Sequence, residues 1–262
     1  MSNTTRVSER FWFPDSDITF RSCDGALFKI HRVNLDTHSA AFPPVELGCA
    51  VTEAVELTED AHTLELLFQF IYPWRQPTLL DVPFSRLDAL AEAAEKYQIF
   101  SAMNICRIRM KETLPEHPVE IMNYAARHSY FEILDAAAPL TISLPVSDVL
   151  QTLSGLFVVP YVLYLDAWRN VLASACRCAP LGHRGGYEPC VNWTRICAVV
   201  LASLGGHVAS LRRLDTIFVN EAVSCVSCKS SLCSSGLHLW RQRVEEEVKS
   251  IPPMRAFLKP TM

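Results

Sequence analysis

Hydrophobic and polar positions alternate in two short runs near the start of the chain, Ile18 and Phe20 before Asp24-Gly25, and Phe28 and Ile30 after it. Alternation sends successive side chains to opposite faces of a strand, and Asp-Gly between two such runs is a strong signal for a tight hairpin. The period changes at His31, because Val33, Leu35 and Phe42 no longer alternate, and a short helix is predicted before Ser39-x-x-Phe42. Upstream, residues 9–13 are aromatic-rich and run into the turn signal Pro14-Asp15, so they read either as a first strand or as an apolar arm.

Beyond Pro43-Pro44 and an exposed loop, residues 54–57 alternate briefly and predict a short strand. Asp60 is placed to cap a helix whose Leu64, Leu67, Phe68 and Ile71 share one face, with a stop at Tyr72-Pro73. Ser85-Arg-Leu-Asp88 reads as a capping box opening a helix with Leu87, Leu90, Ala91, Ala94 and Tyr97 on its apolar face. A further helix is predicted from residue 101 to about 114, where Pro115 and Pro118 mark a boundary.

The remainder is helical by pattern. Pro118 suits a first turn ahead of Ile121, Met122, Ala125 and Ala126, and an alanine-rich segment runs through Leu134 and Ala138. Ser147 is expected to cap a short helix ending near Gly155, and Pro160 to start a longer one through Trp168 and Leu172. Residues 183–189 read as a Gly-containing loop. Residues 192–204 read as a helix stopped by Gly205-Gly206, residues 208–223 as another, and Leu237, Trp240, Val244 and Val248 define the last before Pro252-Pro253.

Length and composition fit this reading: 262 residues, half of them apolar and a fifth charged, suffice for two domains with packed cores. The net charge is −4; residues 1–110 carry 10 Lys and Arg against 15 Asp and Glu, and the rest 14 against 13. Neither part has the basic excess that phosphate neutralisation needs, so nucleic acid is not the expected ligand. The N-terminus has no signal-like apolar core, and the apolar stretch 153–165 is broken by Gly155 and Pro160, short of the roughly 20 residues of a membrane span. A cytoplasmic or nuclear protein without a membrane partner is expected, its ten cysteines held as thiols or metal ligands.

From about residue 15 to 110 the motifs resemble a BTB/POZ domain: Asp17-Ile-Thr-Phe20, Asp24-Gly25, Phe28-x-Ile30-His31-Arg32, Leu35, Ser39-x-x-Phe42, Val55-x-Leu57, Phe70-Ile71-Tyr72 and Leu90-x-x-Ala93-Ala94-x-Lys96-Tyr97. Tyr72-Pro73 and the later Ala-Glu-Lys-Tyr run are similar to the large fungal group of such proteins. The expected fold is therefore α+β: an N-terminal arm over residues 1–11, a BTB/POZ domain of a short sheet flanked by helices over 12–112, and an all-α domain with a Cys-rich segment over 113–262. The resemblance implies a non-catalytic interaction module, a homodimer whose helical part holds a protein partner, with no small-molecule substrate. Two versions are open, an adaptor recruiting substrates to a cullin ubiquitin ligase and a corepressor or scaffold dimer in transcription regulation.

The same resemblance assigns site residues. Asp17 and Arg32, with His31 beside them, match the charged pocket near the BTB dimer interface; an ordinary surface pair and a hydrogen-bonded structural histidine are the alternatives. Val51-Thr52-Glu53 has the hydrophobic-x-Glu form of the cullin contact, although it lies unusually close to the strand at Ala54. Separately, the cysteines of the second half include one metal-ligand spacing, Cys225-x-x-Cys228, near Cys233, with Cys176, Cys178 and Cys190 as the source of a second pair for structural zinc. The alternative is a set of small buried hydrophobes. No phosphate loop, nucleophile elbow or zinc-protease helix occurs, so a thiol enzyme would need Cys106 or Cys225 beside a histidine.

Overall fold

The structure is a computed structural model and describes residues 6–42, 54–177, 190–219 and 232–258. The chain divides into two compact units, Met1–His117 and Pro118–Met262.

In the first unit a four-stranded mixed sheet is ordered β1-β3-β2-β4, with β1 Val7–Trp12, β2 Ile18–Arg21, β3 Leu27–Ile30 and β4 Val55–Glu56. The hairpin is present: β2 and β3 run antiparallel with Ile18 opposite Ile30 and Phe20 opposite Phe28. Its connection is Cys23-Asp24-Gly25, closed by the Ser22 amide donating to the Ala26 carbonyl at 2.9 Å. Gly25 takes φ +86°, a left-handed conformation that costs glycine little and other residues more. β1 and β4 pair parallel to β3 and β2 respectively.

The segment expected as an arm up to residue 11 thus contains a strand of the sheet. Phe11 explains the difference: it is fully buried, with its ring 5.8 Å from that of Phe68, so β1 is held by a core side chain as well as by its ladder.

Helix α1, Arg32–His38, follows β3 at once, and α2 (Ala61–Phe68), α3 (Phe84–Tyr97) and α4 (Phe100–Glu112) complete the unit. Asp60 caps α2 as predicted, accepting from the Thr63 amide at 2.8 Å, and Asp24 of the hairpin turn accepts from the Ala61 amide at 2.9 Å. Phe68 is the hub of the core, because Phe11, Phe20 and Phe28 all pack on it with ring centroids 5.5–5.8 Å away. The predicted apolar faces of α2 and α3 are buried, from Leu64 and Leu67 to Leu90 and Tyr97. The capping box at Ser85 is absent: α3 begins one residue earlier, with Pro83 at the cap position and no side-chain cap. Proline there fixes an extended entry, which leaves Ser85 inside the first turn.

Among its described residues the second unit has helices and 3-10 turns and no strand. It comprises α5 (Pro118–Arg127), α6 (Phe131–Thr141), α7 (Val146–Thr152), α8 (Gly155–Ala175), α9 (Val191–Leu204), α10 (Leu214–Ile217) and α11 (Leu232–Lys249), with 3-10 turns at Val208–Arg212 and Met254–Phe257. Three expectations are corrected. Pro145, not Ser147, precedes α7. Gly155 opens α8 and Pro160 lies inside it, so the helix reaches 21 residues. The carbonyl that Pro160 leaves without its helical donor belongs to Leu156, which is 83% exposed, so water can satisfy it. Of the helix expected over 208–223, the described residues 208–219 form a 3-10 turn and the four-residue α10, parted where Arg213 leaves helical geometry at φ −129°, and the rest lies outside the described residues.

Because Gly155 and Pro160 do not break it, α8 is long and apolar enough to cross a membrane. One face nevertheless packs inside this unit, burying Tyr161, Tyr164, Leu165, Trp168 and Leu172. The Trp240 indole N–H of α11 donates to the Ala175 carbonyl at its end at 2.9 Å. Asp135 of α6 accepts from the Arg255 amide at 3.0 Å and lies 2.8 Å from its Nε, fastening the last 3-10 turn.

Candidate functional site

The junction between β3 and α1 brings Asp17, His31 and Arg32 together. The Arg32 amide donates to the Asp17 carboxylate at 2.7 Å, so Asp17 satisfies a backbone donor in the first turn of α1. The Arg32 guanidinium turns to Asp36, 3.7 Å away and one helical turn on, on an exposed surface. The two residues therefore meet through the backbone, and the positive charge of Arg32 lies in an i,i+4 pair.

His31 is fastened on both ring nitrogens. Its Nδ1 lies 3.0 Å from the Tyr72 hydroxyl and its Nε2 3.2 Å from an Asp15 carboxylate oxygen, while its backbone amide donates to the same hydroxyl at 3.2 Å. A hydroxyl donating to Nδ1 and an Nε2–H donating to Asp15 satisfy the neutral ring, a tautomer assigned from the network. Burial raises the Tyr72 hydroxyl above its ordinary pKa. Phe13 packs on both rings, with centroids 5.0 Å from His31 and 5.3 Å from Tyr72. Spacing alone does not mark Asp15 and Tyr72 as site residues, since they lie 16 and 41 positions from His31 and meet it only in the fold.

A second polar cluster joins motifs that are distant in sequence. The Ser39 hydroxyl donates to the Tyr97 carbonyl at 2.5 Å, and the Phe42 ring stacks on the Tyr97 ring at 4.3 Å and 7°. The Tyr97 hydroxyl donates to one oxygen of Glu59 at 2.5 Å, and the Lys96 ammonium donates to the other at 2.8 Å. The Glu59 side chain is only 11% exposed. Burial works to raise its pKa, but the hydrogen bonds from Lys96 and Tyr97 outweigh burial and hold it below the ordinary value. The same contact and burial push the Tyr97 hydroxyl well above its usual range. Glu59 carried no motif, so only the fold identifies it.

Val51 and Glu53 of the expected cullin contact, and Cys178, Cys225 and Cys228 of the expected metal set, lie outside the described residues. Cys176 is exposed just past α8. Cys190 is buried, and its Sγ lies 3.7 Å from that of Cys233, which is not among the five cysteines expected as ligands. Among the described residues no group of three or more His, Cys, Asp or Glu is placed to hold a metal ion.

Cys106 is fully buried in α4, and burial, with Glu95 adding to it, pushes its thiol up to about 12, which disfavours the thiolate a nucleophile needs. Cys225 lies outside the described residues. A cleft of about 430 Å³ in the second unit is lined by residues that include Asn192, Arg195, Val199, Thr216 and Leu237, with no carboxylate, imidazole or thiol among the described lining.

Residues 13–114 match the family model of the BTB/POZ domain. No curated protein matches the chain significantly.

Proposed function

We propose, from a chain whose residues 13–114 form a BTB/POZ domain, a protein–protein interaction module, that the protein is a non-catalytic adaptor which self-associates through that domain and carries a protein partner on its helical unit. The observation that carries the self-association is apolar surface on β1 and α1. Val33 is 66% exposed in the first turn of α1, and Val7 and Trp12 are exposed on the edge strand β1, which pairs with the strand leading into that helix. Apolar side chains gathered on a strand edge favour covering by another chain.

For the helical unit, support comes from α8. Leu156, Val159 and Leu163 follow one another at spacings of three and four residues and are all exposed, so the helix has an apolar stripe opposite its buried face. Substrate recruitment to a cullin ligase through Val51 and Glu53 is the specific form of this reading, carried by their sequence pattern.

Light scattering on the full chain after size exclusion tests the reading. A dimer is the expected result, weakened by Val33→Asp; a strict monomer at tens of micromolar would remove the self-association. Copurification with a cullin, and its loss in Glu53→Lys, tests the recruiting step.

A further inference from the structure

We propose that the exposed face of α8 pairs antiparallel with the same face of a second copy of this chain, about a two-fold axis passing between Val159 and Pro160. The inference rests on the reading of that face as the one that carries a protein partner, and it names the partner.

The face fits itself. At 3.6 residues per turn Val159, Leu163, Asp166 and Asn170 fall on one strip of α8, flanked by Leu156 and Val162, and all six are exposed. Its apolar part is confined to residues 156–163 and its polar part follows. Laid antiparallel, Leu156 of one copy comes level with Leu163 of the other and the two Val159 side chains come side by side, so apolar positions cover apolar positions along about 10 Å. The Leu156 carbonyl freed by Pro160 points about a quarter turn off the strip, so the pairing leaves it to water.

Electrostatics chooses the direction. A parallel pair would set Asp166 against Asp166, like charges face to face. In the antiparallel register Asp166 instead comes level with the chain just before the N-cap residue of the second copy's α8, Ser154. Ser154 makes no side-chain cap, and at Gly155, the first helical residue, an added Cβ would meet nothing within 4 Å, so the first-turn amides lie open. Open amides and the positive end of a 21-residue helix favour a carboxylate. Among the described residues Asp166 has no cation partner; its carboxylate accepts from the Asn170 amide at 3.2 Å. The two-fold axis makes the contact twice. A strip this short falls below the roughly 1,000 Å² of a self-standing interface, so it forms weakly alone and readily between chains already paired elsewhere.

Benzoylphenylalanine in place of Leu163, in a mixture of isotopically light and heavy full-length chains at high micromolar concentration, tests the pairing on irradiation. The expected product joins position 163 of one copy to the first turn of α8 in the other. Val159→Glu, a surface change to a good helix former, and Asp166→Lys should each lower its yield several-fold, and Asp166→Asn less. Products within one copy only, light–heavy products outside α8, or a yield indifferent to Val159→Glu would overturn the proposal. So would flotation of the chain with phosphatidylcholine vesicles that Val159→Glu abolishes, which would give the face to a membrane. Irradiation in the producing cell that joins position 163 only to a different protein would overturn the second copy and keep α8 as a docking face. A dimer by light scattering with no α8 product would fail this inference and leave self-association through the BTB/POZ domain standing.

Discussion

The Tyr97 hydroxyl meets the nearly buried Glu59 carboxylate at 2.5 Å, at the C-terminal end of the 14-residue helix α3. Through Lys96, Ser39 and Phe42 this contact ties the loop after β4 to the end of α3 and to the segment after α1. A hydrogen bond to a charged group typically contributes more than a neutral one, about 1.5–3 kcal/mol. Tyr97→Phe keeps the stacked ring and deletes only the donor, so it should destabilise the first unit by about that amount in chemical denaturation.

The same cluster sets a pH dependence. Glu59 titrates lower in the folded chain than its ordinary 4.5, so its contribution is present above that pH and is lost as pH falls through the folded value. Tyr97 titrates above its ordinary 10.0, so its contribution is intact below that pH and declines as pH rises past it. Stability curves of the native protein and Glu59→Gln should converge below about pH 4.5 and separate above it. A constant gap from pH 3 to 7 would contradict the assignment.

Asp17 and Arg32 separate a cap from a charge. Asp17 accepts a backbone amide, so Asp17→Ala should cost about 1 kcal/mol, and Asp17→Asn much less because its amide oxygen still accepts. Arg32 places its charge on an exposed i,i+4 pair, worth about 0–1 kcal/mol, so Arg32→Ala should scarcely move Tm. Equal losses from Asp17→Ala and Arg32→Ala would show that the charge matters to the fold after all.

What was legible in the sequence follows from local chemistry. Alternation flanking Asp24-Gly25 gives the hairpin, Asp60 gives a cap, and the spacing of Leu64, Leu67 and Phe68 gives a buried face, because each depends on residues within a turn or two. Proline is a weaker stop than its spacing suggests: Pro160 neither starts nor breaks α8, since the carbonyl it orphans lies beside an exposed residue. The sites were legible only in part. His31 and Arg32 stand out, but Tyr72 and Asp15 define what His31 does, and Glu59 gains a role only when the fold sets it against Tyr97.

In the second unit, Trp240 is the corresponding fastening. Its indole N–H donates to the Ala175 carbonyl in a buried setting, and its ring meets Phe218 edge-on at 5.2 Å. Trp240→Phe retains an aromatic body but leaves that carbonyl unsatisfied, a cost of about 1–3 kcal/mol. The expected outcome is a lower Tm and faster amide exchange at the C-terminal end of α8, with the hairpin of the first unit unaffected.

Thiol accessibility gives a last test, and it bears on catalysis as well as on packing. Cys23 and Cys176 are exposed, whereas Cys106 is fully buried with its thiol pushed up to about 12. Alkylation requires the thiolate and an open approach, and Cys106 has neither. Brief iodoacetamide treatment of the native chain at pH 8, read by peptide mass spectrometry, should therefore label Cys23 and Cys176 and spare Cys106 until denaturant is added. Rapid native labelling of Cys106 would mean that α4 opens easily or that a nearby cation lowers the thiol, and a nucleophilic role for that residue would have to be reconsidered.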